Sequence, residues 1–440
     1  MNLYIELEVY NREIDAKMLL ALEAVKRGYN VIIAHRSIIQ KLALQNELPP
    51  GIIHMKDANS IKYQIEILKK LKKKKFYFTA QDEESGLLNK KYDTFAKIRF
   101  NNYKAFNFLN YFFCWGKRDY NYLKKKKKPA ILTGSPRFDL FYDKKKIKNN
   151  NKNNKKILII SSFNVTGVRS FADRIFSTTS QRDKHYEIAE KFAYDIESIH
   201  ALKVYHFVKL IKFLSKTFKN YDICLRPHYH DKYYDWKKLI NSNAKNITIE
   251  KTEKSPLYKS ILSSDFVIQN GCTSAIESLL LNVPCISFMP QEWKEDEMAE
   301  FPNSLGIKAT NYKQVVKIIQ SGNIKKNDIK IKILKERFFF EKNYYAFEKQ
   351  VNIFDKINQN FNKFEPSLYF KIRFFLKKIL KKLIKKIYKK EKSPFEHKFP
   401  EFKKKKIKRI INEIVASTHK NDYLDTKFNI ISERLLFLKK

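Results

Sequence analysis

Two short stretches hold the residues best suited to handling a phosphate. One is Asn270-Gly271-Cys272-Thr273-Ser274, with Glu277 one helical turn further on. It follows the apolar run 266–268 and leads into helix-type spacing at Ala275, Ile276, Leu279 and Leu280, before a strand at 285–288. A glycine turn feeding a helix capped by Thr273 or Ser274 would offer backbone N–H groups and the positive end of the helix dipole to an anion such as a diphosphate. The spacing Ser274-Ala-Ile-Glu277 is equally that of a capping box, in which Glu277 only bonds back to the helix start. The other stretch is Arg226-Pro227-His228, which ends the strand 221–225 about 45 residues upstream, roughly one or two βα units away. A guanidinium and an imidazole there could neutralise a phosphate leaving group. An isolated histidine in a strand exit is more often structural, and His35 and His230 are read that way. A third loop, opening with Ser161 and Ser162 after the apolar strand 157–160, either touches a distal phosphate or sugar or is a plain βα turn.

Carboxylates near the N-terminus supply the complementary chemistry. Glu13 and Asp15 follow the first strand, and Glu83 follows a strand near 76–79. Any of the three could take a proton from an acceptor hydroxyl. They could equally be favourable acids in a helix first turn or partners of nearby lysines. No acidic pair of metal-binding type follows a strand in the second half, so no metal and no further cofactor is expected.

These residues need elements to hold them. Strand 3–9, helix 16–27 ended by Gly28 and strand 30–34 make a βαβ unit, and hence a parallel sheet with helices on its faces. Further strands are expected near 51–54, 76–79, 111–114 and 130–132, with a helix over 57–74. A parallel sheet of this kind binds ligands outside the carboxyl ends of its strands, where all the candidate residues fall. The Lys- and Asn-rich stretch 142–156 lacks apolar periodicity and reads as a linker between a domain at 1–141 and a second at 157–330. Long helices are expected over 331–361, within a return segment at 331–365. The segment 366–392 alternates lysine pairs with apolar pairs, the pattern of a helix lying on anionic lipid. A helical tail, 393–440, ends the chain.

Arg226-Pro227-His228 together with Gly271-Cys272-Thr273-Ser274 and Glu277 resembles the nucleotide-side signature of GT-B glycosyltransferases. More closely, it is similar to bacterial surface-carbohydrate (lipopolysaccharide or capsule) biosynthesis proteins. Their relatives include CDP-glycerol glycerophosphotransferases and the UDP-N-acetylglucosamine 2-epimerase fold. Asn11-Arg-Glu-x-Asp15, Gln81-Asp-Glu-Glu-Ser-Gly86, Phe113-Cys-Trp-Gly116 and Thr133-Gly-Ser-Pro-Arg-x-Asp139 also match, whereas the usual Arg-Pro-His-Pro ends here in Tyr229. The resemblance implies two Rossmann-like parallel-sheet domains facing a cleft, followed by a helical basic tail. It further implies a nucleotide-activated sugar or polyol-phosphate donor, bound mainly by the second domain, and a lipid-linked or oligosaccharide acceptor. The alternatives are an epimerase acting on a nucleotide sugar without an acceptor, and a basic protein binding membrane or nucleic acid without catalysis.

The whole-chain numbers fit these readings. The 440 residues are 43% hydrophobic and 14% aromatic, which excludes general disorder. Lys and Arg number 89 against 46 Asp and Glu, a formal charge of +43 that favours an anionic neighbour. Abundant Lys, Asn and Ile with only 9 Gly and 12 Pro also suit an AT-rich coding sequence, so part of the charge is compositional. An anionic membrane surface, met through Leu368 to Lys390, is preferred to nucleic acid because the helix carries a broad apolar stripe. Four scattered cysteines lack metal-ligand spacing and read as small buried hydrophobes in a reducing compartment. No apolar run is long enough to span a bilayer, and the N-terminus reads as a strand. The expected location is the cytoplasmic face of the membrane.

Overall fold

The computed structural model describes residues 1–58, 62–83, 100–141, 155–161, 186–228, 233–252, 255–291, 300–322, 332, 334–335, 337–339, 344–357, 362–388 and 399–440. The chain forms two compact units, one of residues 1–85, 91–144 and 331–440, the other of residues 86–90 and 145–330.

The first unit opens with β1 (Asn2–Leu7), α1 (Tyr10–Lys26), β2 (Asn30–His35), α2 (Arg36–Leu44), β3 (Ile52–Met55), α3 (Lys62–Lys73) and β4 (Tyr77–Ala80). After a 3-10 turn, Asn101–Asn107, come β5 (Tyr111–Cys114), α4 (Lys117–Lys125), β6 (Ala130–Leu132) and the short α5 (Pro136–Asp139). β1 is buried along its whole length, as expected of a central parallel strand covered on both faces. Helix α1 starts at Tyr10, so Glu13 and Asp15, expected in a loop, lie in its first turns.

The second unit runs β7 (Lys155–Ile160), α6 (Tyr186–Thr217), β8 (Tyr221–Arg226), α7 (Tyr233–Ile240), β9 (Ile247–Ile249), α8 (Leu257–Leu262) and β10 (Phe266–Gln269). It continues with α9 (Ser274–Leu280), β11 (Cys285–Phe288), α10 (Glu300–Leu305), β12 (Ile307–Ala309) and α11 (Tyr312–Ser321). Its core packs Phe207, Leu210 and Leu214 of α6 against Ile157, Ile159 and Ile268 of the sheet.

The chain then rejoins the first unit through α12 (Ala346–Asp355), α13 (Leu368–Tyr388), α14 (Lys404–Thr418), β13 (Lys427–Ser432) and β14 (Leu435–Lys439). Among the described residues of 331–361, 332, 334–335 and 337 are helical and Ala346–Asp355 forms a ten-residue helix. The latter is held in place by the Thr133-to-Asp139 stretch, because the Phe347 N–H donates to the Asp139 carboxylate at 2.9 Å. Burial pushes that carboxyl up to about 7, against the pull of the Phe347 and Ala346 N–H groups. Gly116 serves the same crossing: a Cβ there would sit 1.3 Å from the Arg337 carbonyl oxygen, so only glycine lets the returning backbone pass.

The tail contains the expected helix, α14, but ends in a hairpin that the helical reading missed. β14 pairs antiparallel with β2, giving the sheet order β13-β14-β2-β1-β3-β4-β5-β6 among the described residues. Leu435, Leu436, Phe437 and Leu438 are all buried, since β14 lies between β13 and β2 rather than at an edge. The hairpin thereby covers an edge that would otherwise template aggregation.

Candidate functional site

The sheet of the second unit has the order β12-β11-β10-β7-β8-β9. Counted from its own first strand this is 3-2-1-4-5-6, the doubly wound order whose connections reverse between strands one and four. The reversal puts a crevice at the carboxyl ends of β7 and β10, where such sheets bind ligands. Ile268 pairs with Ile159, and Ile160 with Arg226. Ser161, Asn270 and the Pro227-His228 exit therefore stand in one row over three neighbouring strands, each about 4.8 Å from the next. Ser161 is buried and its N–H donates to the Arg226 carbonyl at 3.0 Å, while His228 is half-buried. Ser162 lies outside the described residues.

Within that row the turn is more self-contained than the sequence implied. Gly271 has φ +65°, which explains a glycine there. Its N–H donates to Asn303 Oδ1 at 2.7 Å, the Cys272 N–H to Gln269 Oε1 at 2.7 Å, and the Ser274 N–H to Cys272 Sγ at 3.5 Å. The Asn270 amide donates to the Phe288 carbonyl at 2.8 Å. The backbone donors expected to hold phosphate at residues 271, 272 and 274 are thus already engaged. Thr273 is helical, at φ −59° and ψ −13°, and forms no side-chain cap. Ser274 Oγ is buried without a hydrogen-bond partner, and Glu277 is buried. The half-exposed groups of this corner are Gly271, Cys272 and Thr273.

Arg226 also departs from expectation. Its NH1 donates to Glu250 Oε2 at 2.9 Å and Ser260 Oγ at 2.8 Å, and its NH2 to the Ser255 carbonyl at 2.7 Å. Glu250 additionally pairs with Lys156 at 3.1 Å. Burial pushes the Glu250 carboxyl upward, but Lys156, the Ser260 hydroxyl and Arg226 outweigh it and hold the group below its usual value. Arg226 therefore fixes the strand exit that carries His228 instead of reaching for a ligand. Its partner Glu250 lies on another strand exit, which spacing along the chain does not reveal.

The first unit gathers a second polar cluster. Glu13 on α1 accepts the Glu8 N–H at 2.9 Å and an Arg12 N–H at 2.8 Å. One turn later on the same helix, Lys17 pairs with Glu83 at 2.5 Å and approaches His54 Nε2 at 3.3 Å. His54 Nδ1 is 3.1 Å from Thr79 Oγ1. An ammonium can only donate, so His54 accepts at Nε2 and carries its proton on Nδ1, which donates to Thr79. Burial, then the Lys17 charge, hold the His54 imidazole well below its ordinary value. Burial raises the Glu13 carboxyl; Arg12 opposes the rise and Glu83 adds to it.

The structure thus brings Glu13 and Glu83 together and leaves Asp15 apart. Two residues along a helix is a rotation of about 200°, and Asp15 instead influences Tyr10. Lys17, His54 and Thr79 were missed by the sequence reading. The four-residue step from Glu13 to Lys17 was the available signal, whereas the contact with His54 depends on strand pairing.

A third cluster stands where the first sheet changes direction, between β1 and β3. Glu6 accepts from Arg36 Nε at 2.8 Å and Gln40 Nε2 at 3.2 Å; Arg36 also pairs with Asp57 at 2.8 Å, and Lys56 with Glu8. Among the described residues, no group of three or more His, Cys, Asp or Glu side chains could hold a metal ion.

No family model and no curated protein matches the chain. Among solved structures it is similar to the Staphylococcus aureus MnaA–UDP structure (13% identity, TM-score 0.48, covering 83% of this chain and 99% of that one). It is also similar to the Methanocaldococcus jannaschii UDP-GlcNAc 2-epimerase in complex with UDP-GlcNAc and UDP (15%, 0.47, 81% and 100%). A third is the wall teichoic acid polymerase TagF with CDPG (14%, 0.48, 81% and 88%).

Proposed function

We propose that the chain is a transferase of bacterial surface-polysaccharide biosynthesis, of lipopolysaccharide or capsule type. It moves a sugar, or a polyol phosphate, from a nucleotide-activated donor to an acceptor hydroxyl on a lipid-linked or oligosaccharide chain. The observation that carries this reading is the row of Ser161, His228 and the Asn270–Ser274 corner at the direction change of the 3-2-1-4-5-6 sheet. His228 neutralises the departing nucleotide phosphate, with Ser161 and the exposed side of Thr273 as neutral partners. Arg226 positions His228 through Glu250. In the first unit, Glu13 or Glu83 removes the acceptor proton, and Lys17 balances the charge of the pair. No metal takes part.

The enzyme works at an anionic membrane face, which it meets through α13. Leu368, Tyr369, Phe375, Leu376, Leu380 and Leu383 of that helix are exposed, between about half and three-quarters of their surface. Among the described residues no helix is long and apolar enough to cross a membrane.

The test is release of nucleotide from UDP-, CDP- and GDP-linked donors with and without a lipid-linked acceptor. Acceptor-dependent release is the expected result. Conversion of the nucleotide sugar without acceptor would make the chain an epimerase, and no turnover of any donor would reject both.

A further inference from the structure

The exposed stripe of α13 does not stand alone on the first unit. The helix is anchored at its N-terminal end, where Phe370 is buried and Arg373 pairs with Glu47. Just before it, Phe364 N–H donates to Asn2 Oδ1 at 2.7 Å, and Asn30 donates to the Phe364 carbonyl at 2.9 Å. Asn2 and Asn30 begin β1 and β2, and Glu47 lies in the run into β3. The anchor is therefore at the amino-terminal edge of the sheet, whereas Glu13, His54 and Glu83 cluster at the carboxyl ends.

The same edge carries two lysine runs. Lys72, Lys73, Lys74 and Lys75 end α3 just before β4, and Lys124 to Lys128 end α4 just before β6. Nearly all of these side chains are exposed. Lys74 donates to Asn46 Oδ1 at 2.5 Å, next in sequence to the Glu47 that holds Arg373, so the first run adjoins the root of α13. β4, β5 and β6 are neighbours, which sets the second run only about 10 Å further along the edge. Parallel strands fed by helices return all their αβ loops to this one edge, which is why lysines far apart in sequence meet there.

We infer that the amino-terminal edge of the first sheet is a lipid-docking face, in which α13 inserts its apolar stripe and the α3 and α4 lysine runs contact acidic headgroups. The inference rests on the membrane reading above and adds a second, purely electrostatic contact to it. A stripe alone would suit a second copy of the chain, but a rim of like charges repels its own copy and attracts an anionic surface. A polyanion such as RNA would satisfy the lysines but not the stripe.

The test is co-sedimentation of the full chain with phosphatidylcholine vesicles, with and without phosphatidylglycerol. The rim variant is K124Q/K125Q/K126Q/K127Q, the stripe variant F375S/L376S/L380S, and the charge control K237Q/K238Q/K313Q/K317Q in the second unit. Each lysine at such a surface is worth severalfold in affinity, so the rim variant should bind acidic vesicles at least about tenfold more weakly and with a shallower salt dependence. The control should bind like wild type, and the stripe variant should lose binding. If wild type ignores acidic vesicles, or the stripe variant binds them unchanged, the membrane reading itself fails. If the stripe variant fails to bind while the rim variant binds like wild type, or rim and control lose equally, only the present inference falls. Dimerisation abolished by the stripe changes, or oligonucleotide binding in place of vesicle binding, would also overturn it.

Discussion

His228 bears most of the chemistry assigned to the second unit, and it stands half-buried beyond β8 while Arg226 and Glu250 hold the strand exit from behind. His228→Ala should slow donor cleavage about 10²–10³-fold with the melting temperature unchanged, which steady-state kinetics and calorimetry would check. Lys17 behaves differently because its partner is buried with it. Lys17→Met should destabilise the protein by about 3–5 kcal/mol, and adding Glu83→Leu should recover much of that, as read by urea titration. Asp139 gives a pH signature. Its carboxyl sits near 7 in the folded chain and ordinarily near 3.8. The folded state therefore holds a proton that the unfolded state has lost, so stability should fall as pH rises from about 4 to about 7 and then level off. Asp139→Asn keeps an acceptor for Phe347 and should flatten that part of the melting-temperature profile. Residue types at strand exits were readable from the sequence, with Glu13, Asp15 and Glu83 as alternatives; that Glu13 and Glu83 come together while Asp15 stands apart is set by the fold. That Arg226 and the N–H groups of 271, 272 and 274 have internal partners was not readable: Glu250 and Asn303 arrive through the fold, and Gln269 and Cys272 through the local turn.

At the level of elements, alternation of apolar runs with helical spacing located the parallel strands of both sheets to within a residue or two, but not the antiparallel hairpin of the first. What misled was context. The polar stretch 11–15 looks like a loop, yet its residues begin α1, because Val9 and Tyr10 are buried and the carboxylate of Glu13 satisfies the Glu8 N–H. The terminal hairpin was hidden because Leu435 to Leu438 is an uninterrupted apolar run, which marks burial without telling strand from helix. Its four buried side chains contribute about 6–12 kcal/mol, comparable to the whole stability margin of a domain. Deleting residues 427–440 should therefore give insoluble protein, and Leu436→Ala should cost about 2–5 kcal/mol in urea unfolding. Soluble, cooperatively folding protein after the deletion would mean that β2 tolerates being an edge.

For the whole molecule, composition argues for an anionic partner without saying which surface would meet it. The charge of +43 is spread through the sequence; folding collects part of it at the amino-terminal edge of one sheet, beside an exposed apolar helix. The carboxyl ends of both sheets hold the polar groups suited to chemistry. The central claim is that a nucleotide phosphate sits at the direction change of the second sheet. Hydrogen–deuterium exchange with and without saturating UDP, CDP, GDP or CMP tests it directly. One of these nucleotides should slow exchange at Arg226 and His228 and at Thr273 together, at the exits of the two strands that flank β7. Protection confined to the first unit, or none with any of the four, would contradict the account.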